Sequence, residues 1–128
     1  MDKAEKGKLG EDFCARFFEK LGFKIVVRNY HSKFGEIDLI CENNKYLVFV
    51  EVKARNGNSI GLPRDAVNIS KQRKILLTAQ VYLSENENAK QPRFDAFEVW
   101  LSEGRVYKFK HIENAFDETA LGGYNDIF

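Results

Sequence analysis

Four carboxylates and one lysine stand out in this chain because of where they fall. Gly35-Glu36-Ile37-Asp38-Leu39-Ile40 and Leu47-Val48-Phe49-Val50-Glu51-Val52-Lys53 are strand-like, apolar runs that nonetheless carry charge. Strand side chains alternate between faces, so Glu36 and Asp38 are expected to share a face, as are Glu51 and Lys53. If the two runs are neighbours in a sheet, their acids and Lys53 converge on one patch. Leu47 and Phe49 stand where an exposed face would place polar residues, so that patch lies under a cover. Clustered negative charge in an apolar setting is costly unless a cation neutralises it. Hard divalent ions such as Mg²⁺ or Mn²⁺ take oxygen ligands of this kind, typically one or two carboxylates with water. The chemistry suggested is metal-assisted attack on a phosphate ester.

Glu11 is the fourth carboxylate. It falls within the apolar stripe Ala4, Gly7, Cys14, Ala15, Phe18 and Leu21 of an expected helix over residues 3 to 21. Carboxylates rarely face a core without a partner. The alternative is that Glu11 lies at the edge of the stripe and reaches solvent beside Lys8. In the metal reading, Asp38 and Glu51 are ligands, joined by the Val52 carbonyl and by Glu11, with Glu36 as an auxiliary. Lys53 then serves as a base or as a stabiliser of charge on the phosphate.

These residues need elements to hold them. Gly22 suits the position just past the end of the first helix. Strands are expected over 23 to 29, 35 to 41 and 46 to 54, with a turn over 30 to 34 and a polar hairpin turn at Glu42-Asn43-Asn44-Lys45. After a Gly- and Asn-rich loop, Pro63 suits the first turn of a second helix reaching Leu83. Two more strands are expected over 91 to 101 and 105 to 111, then a short helical turn near Ala115-Phe116 and a loose tail over 117 to 128. The order α-β-β-β-α-β-β implies an α/β fold: one domain over 1-128, its mixed sheet flanked by helices.

Composition narrows the class. The chain has 128 residues, a formal net charge of +1 and 11 Phe, enough for a core without disulfide staples. Charge is uneven: Lys53 to Lys74 holds six Lys/Arg and one acid, whereas Ser84 to the end holds five against nine. On the second helix Arg64 and Lys71 lie about 20° apart at ~100° per residue, with Lys74 about 60° beyond. Ala66, Ile69, Leu76, Leu77 and Leu83 take the opposite, core-facing arc. The basic side, with Arg55 in the loop before it, fits phosphate backbones, although a solvated helix face explains it equally well. Arg93 and Asp95 read as a structural ion pair. Cys14 and Cys41 read as buried, reduced thiols. No signal-like or membrane-length apolar run occurs, so the expected setting is cytoplasmic.

Asp38, twelve residues, then Glu51-Val52-Lys53, with Glu11 on a preceding helix, resembles the PD-(D/E)XK nuclease superfamily. It is particularly similar to archaeal Holliday junction resolvases, which share the helix-borne glutamate. The whole chain resembles the YraN-like family more closely still. The matching segments are Gly7-Lys8-Leu9-Gly10-Glu11, Arg28-Asn29-Tyr30, the two charged strands, Ala66-Val67, Lys71-Gln72-Arg73, Arg93-Phe94-Asp95 and Asn114-Ala115-Phe116. Ile37 stands where the superfamily motif is named for proline. The resemblance implies a restriction endonuclease-like core and a metal-dependent endonuclease acting on DNA, including branched or damaged DNA. A homodimer follows only by analogy with resolvases. The competing reading keeps the fold as a nucleic-acid-binding or assembly module without catalysis.

Overall fold

The computed structural model describes residues 1–56 and 67–122. Its elements are α1 (Lys3–Lys20), β1 (Lys24–Ser32), β2 (Gly35–Glu42), β3 (Tyr46–Asn56), α2 (Ile69–Glu85), β4 (Gln91–Ser102) and β5 (Arg105–Phe116), followed by a 3₁₀ turn, Glu118–Leu121. The five strands form one sheet in the order β1-β2-β3-β4-β5. All neighbours are antiparallel except β3 and β4, which are parallel over Tyr46–Gln91 to Asn56–Leu101. A parallel pair needs a long crossover, and α2 lies within it. This is the expected α/β order, with a mixed sheet between two helices, consistent with a restriction-endonuclease-like core.

The sheet buries two apolar layers. On one face, Cys14, Ala15 and Phe18 of α1 pack on Leu39, Cys41, Val48, Val50, Phe97 and Val99. On the other, Ile75, Leu76, Ala79 and Tyr82 of α2 pack on Ile37, Ile40, Leu47, Phe49, Phe94 and Ala96. With both faces covered, the central strands read as near-continuous apolar runs. Cys14 and Cys41 are free thiols, fully buried in the α1 layer. α1 lies close on the sheet at Gly10, where a Cβ atom would stand 2.9 Å from Val99 Cγ2. Gly22 has φ +93°, the left-handed geometry that ends a helix without strain only at glycine.

Several boundaries differ from the sequence expectation. α2 starts at Ile69, because the Asn68 side chain caps it by accepting from Lys71 N–H at 2.9 Å. Pro63, Arg64 and Ala66 lie outside the described residues. Ile69 is exposed and not on the core face; the face turns toward Ile75 and Tyr82. Leu21 is likewise exposed at the end of α1. β1 runs on to Ser32, so the expected five-residue turn shrinks to Lys33-Phe34; Ser32 Oγ, 2.8 Å from Thr78 Oγ1, ties this hairpin to α2. Ala115-Phe116 is strand, not helical turn. β5 continues past an irregularity at Asn114, φ 53°, whose N–H donates to Asp95 at 2.9 Å.

Asp95 anchors a buried polar network. Arg93 donates to both of its oxygens, at 3.0 and 2.9 Å, and His111 Nε2 lies 2.7 Å away. Burial alone would raise the Asp95 carboxyl, but the His111 and Arg93 hydrogen bonds hold it below the usual range. Arg93 and Asp95 thus form the expected structural ion pair, and His111, to which the sequence reading gave no role, completes it.

Candidate functional site

β2 and β3 are joined by a tight polar turn, with Asn43 Oδ1 accepting from Lys45 and Tyr46 N–H at 2.9 and 2.7 Å. That turn sets the register, and the ladder runs from Glu42–Leu47 to Leu39–Val50. Beyond it, Asp38 Oδ2 accepts the Val52 N–H at 2.7 Å. A side-chain carboxylate thus stands where a backbone carbonyl would continue the ladder. β2 also changes face here: Ile37 packs in the α2 layer and Leu39 in the α1 layer. The expectation that Glu36 and Asp38 share a face through simple alternation is therefore corrected. Asp38 reaches Glu51 through the break in the strand rather than through its pleat.

A cleft of about 710 Å³ opens at this point, lined among others by Lys3, Lys6, Glu36, Asp38, Glu51, Lys53 and Lys71. Asp38 and Glu51 are buried at 9% and 7% exposure. Burial, then the charge of Glu51, pushes the Asp38 carboxyl up to about 8, against the pull of the Val52 N–H. Burial also raises Glu51, against the charge and hydrogen bond of Lys71. Lys71 Nζ lies 3.1 Å from Glu51 Oε1, while the buried Oε2 has no hydrogen-bond partner among the described residues. Glu51 holds the Lys71 ammonium above its usual value despite burial. Lys53 is exposed on the rim and makes no ion pair with the described residues.

The remaining residues singled out from the sequence are dispersed. Glu36 pairs with His31 at 3.4 Å on the cleft wall. Glu11 is half-buried, 3.9 Å from Arg28, and lines a neighbouring groove with Lys8 and Asn29. Its charge still contributes to raising Asp38. Arg55 is held by the fully buried Glu98 at 2.6 Å. Lys74 is exposed on α2 above Gly35. Lys71, although exposed, carries its ammonium to Glu51, an ion pair the sequence reading did not expect; Lys74 lies exposed on α2 as expected, and Arg64 lies outside the described residues. Among the described residues, no group of three or more His, Cys, Asp or Glu side chains is arranged to hold a metal ion. The cleft brings together three of the four carboxylates, Glu36, Asp38 and Glu51, while Glu11 lines the neighbouring groove.

Sequence reasoning overlooked Lys3 and Lys6. Both line the cleft, and Lys6 Nζ donates to Asn56 Oδ1 at 2.7 Å. A signal existed: lysines in the first turn of a helix oppose its dipole, and this turn holds a single acid, Glu5.

No helix among the described residues is long and apolar enough to cross a membrane. The family model of the uncharacterised protein family UPF0102 matches residues 10–99. The chain is 44% identical over 119 residues to a UPF0102 protein of Caldanaerobacter subterraneus subsp. tengcongensis, covering 91% of this chain and 98% of that protein. It is 40% identical over 118 residues to one from Dictyoglomus turgidum, covering 91% and 100%. A third, from Clostridium beijerinckii, is 42% identical over 115 residues, covering 86% and 91%.

Proposed function

The chain belongs to the UPF0102 family, the YraN family, and on that premise we propose that its cleft is the centre of a metal-dependent nuclease that hydrolyses phosphodiester bonds in DNA. One observation carries the reading. Asp38 and Glu51 converge from adjacent strands into a cleft, buried, with one Glu51 oxygen unpartnered among the described residues. Holding two carboxylates side by side out of water is costly, and a bound cation would offset that cost.

The donor set fits a hard divalent ion. Two carboxylates with the Val52 carbonyl nearby make an oxygen site of the type Mg²⁺ or Mn²⁺ takes, with water filling the rest. Such an ion, when bound, lowers the pKa of water and stabilises charge on phosphoryl oxygens. The chain's own residues do the remainder. Asp38 is fixed by its hydrogen bond to Val52, and the β2–β3 turn sets its distance to Glu51. Lys53, exposed on the rim, faces the scissile phosphate and offsets its negative charge. Glu11 and Glu36 add negative charge around the pair without joining it. Lys74, exposed beside the cleft, contributes sequence-independent attraction to the backbone. Two free, buried thiols fit a reducing, cytoplasmic setting.

A second reading has its own support. Lys71 already neutralises one Glu51 oxygen, as it would in a module that binds nucleic acid without cutting it. Two measurements separate them. Calorimetric titration with Mn²⁺ should show binding by the native protein and none by the Asp38→Ala/Glu51→Ala variant; equal binding would overturn the metal assignment. Cleavage of single-stranded, duplex, flap and four-way-junction DNA with Mg²⁺ or Mn²⁺, lost in Glu51→Ala, would decide for the nuclease. Tight DNA binding with no cleavage under any of these conditions would decide for the module.

A further inference from the structure

The floor of the cleft is acidic, but its wall on the α1 side is basic. Lys3 and Lys6 lie three residues apart, so they project from the same side of α1, about 4.5 Å apart along its axis. Both line the cleft beside Lys53. Lys6 bonds Asn56 at 2.7 Å, which fastens the first turn of α1 to the end of β3, two residues beyond Ala54 on the same cleft. Lys3 has no ion pair among the described residues. These cations sit at the positive end of a helix dipole, an arrangement that costs stability and that an anionic ligand relieves. Lys8, two residues beyond Lys6, behaves differently: it pairs with Asp12 at 3.8 Å and lines the neighbouring groove. A second observation ties the wall to a ligand. The Glu51 side chain is 8% exposed, lines the same cleft, and leaves Oε2 unpartnered among the described residues. An acid pair awaiting a cation on the floor and free cations on the wall together suit a phosphodiester chain.

We propose that a nucleic-acid strand enters this cleft over the first turn of α1, where Lys3 and Lys6 neutralise the phosphates adjoining the one that Lys53 faces. The inference rests on the nuclease reading for the placement of the reacting phosphate. It moves the main backbone contacts away from α2, where Lys71 is committed to Glu51, and away from Arg55, which is committed to Glu98.

The test is binding of fluorescein-labelled poly(dT) and of a labelled duplex across a salt series, with Ca²⁺ present so that the strand stays intact. The Lys3→Gln/Lys6→Gln variant should lose about 1.4–1.8 from the slope of log K against log salt, at ~0.7–0.9 per phosphate contact. Each single variant should lose about half of that. Lys20→Gln, at the far end of α1, should leave the slope unchanged. The double variant should melt no lower than the native protein, because it relieves charge at the helix N-terminus. Native binding with an unchanged slope in the double variant overturns the inference and leaves the nuclease reading standing. An equal loss in Lys20→Gln also overturns it, since the contacts would then be a diffuse charge effect. No binding by the native protein at low salt overturns both.

Discussion

Replacing Asp38 by asparagine should stabilise the metal-free protein, and the gain should grow with pH. The native Asp38 carboxyl is pushed from an ordinary 3.8 to about 8, by burial first and by the Glu51 charge second. Between about pH 4 and pH 8 the folded protein therefore holds a proton that the unfolded chain has released. Stability that is full below pH 4 falls as pH rises through this window, by up to about 1.4 kcal/mol per pH unit for one proton. Over roughly four units the ceiling is about 6 kcal/mol. Glu51 is raised in the same direction, so the pair shares the burden, and opening of the cleft to water relaxes it; about 2–4 kcal/mol at pH 8 is the expected gain. Asparagine can keep the hydrogen bond from Val52, since its amide oxygen also accepts. Asp95 does not confuse the reading, because its carboxyl is lowered and its contribution is lost only on acidification. The assay is urea unfolding at half-unit steps from pH 4.5 to 8.5 with chelator present. Wild type should lose stability across the range while Asp38→Asn stays nearly flat. Added Mg²⁺ should reverse the ranking, giving wild type about 2.7 kcal/mol at a hundredfold excess over Kd and the variant nothing. A flat wild-type profile, or a variant no more stable at pH 8, would refute the claim that these carboxylates are forced together.

Two further outcomes follow from the packing and the rim. Lys53→Ala should abolish cleavage and leave Mn²⁺ affinity unchanged or slightly higher, read by single-turnover assay and calorimetry; lost metal binding in the folded variant would make Lys53 structural. Gly10→Ala should destabilise by about 1 kcal/mol, because overpacking against Val99 at 2.9 Å costs more than the helix propensity gained, whereas Gly7→Ala, with nothing within 4 Å, should stabilise by about 0.5–1 kcal/mol in urea titrations.

The parts of this fold legible in sequence are those fixed by local rules. Alternating apolar runs located all five strands, and a polar turn of four residues placed β2 beside β3 in the register that brings Asp38 to Glu51. The hidden parts depend on tertiary contacts. The length of β5 depends on Asp95, nineteen residues upstream of Asn114, which holds the strand through its irregularity. The start of α2 was set by the Asn68 cap, a signal present in the sequence but outweighed there by Pro63. Periodicity located the helix and its core side at Leu76 and Leu83 but missed two positions: Ile69 is exposed, and Lys71 reaches the buried Glu51. Glu11 and Arg55 looked available only because Arg28 and Glu98 are distant in sequence and adjacent in space.

Each carboxylate around the cleft is compensated by a different device, and the differences matter chemically. Glu11 has the guanidinium of Arg28 nearby, at 3.9 Å. Glu36 leans on His31, an exposed partner 3.4 Å away. Asp38 is neutralised by a proton and Glu51 by the tip of a flexible lysine. A proton and a half-exposed ammonium are both displaceable, whereas an intact core ion pair such as Arg93–Asp95 is not. Asp38 and Glu51, the buried carboxylates of the cleft, thus carry compensation that can be exchanged for another cation. If Mg²⁺ takes that place, the Lys71 ammonium is released into a cleft whose rim already carries Lys3, Lys6 and Lys53, so one exchange on the floor strengthens the attraction of the wall for phosphate. A structural role for the pair would have no use for such reversible neutralisation, and it would do better with well-packed apolar residues of the same volume.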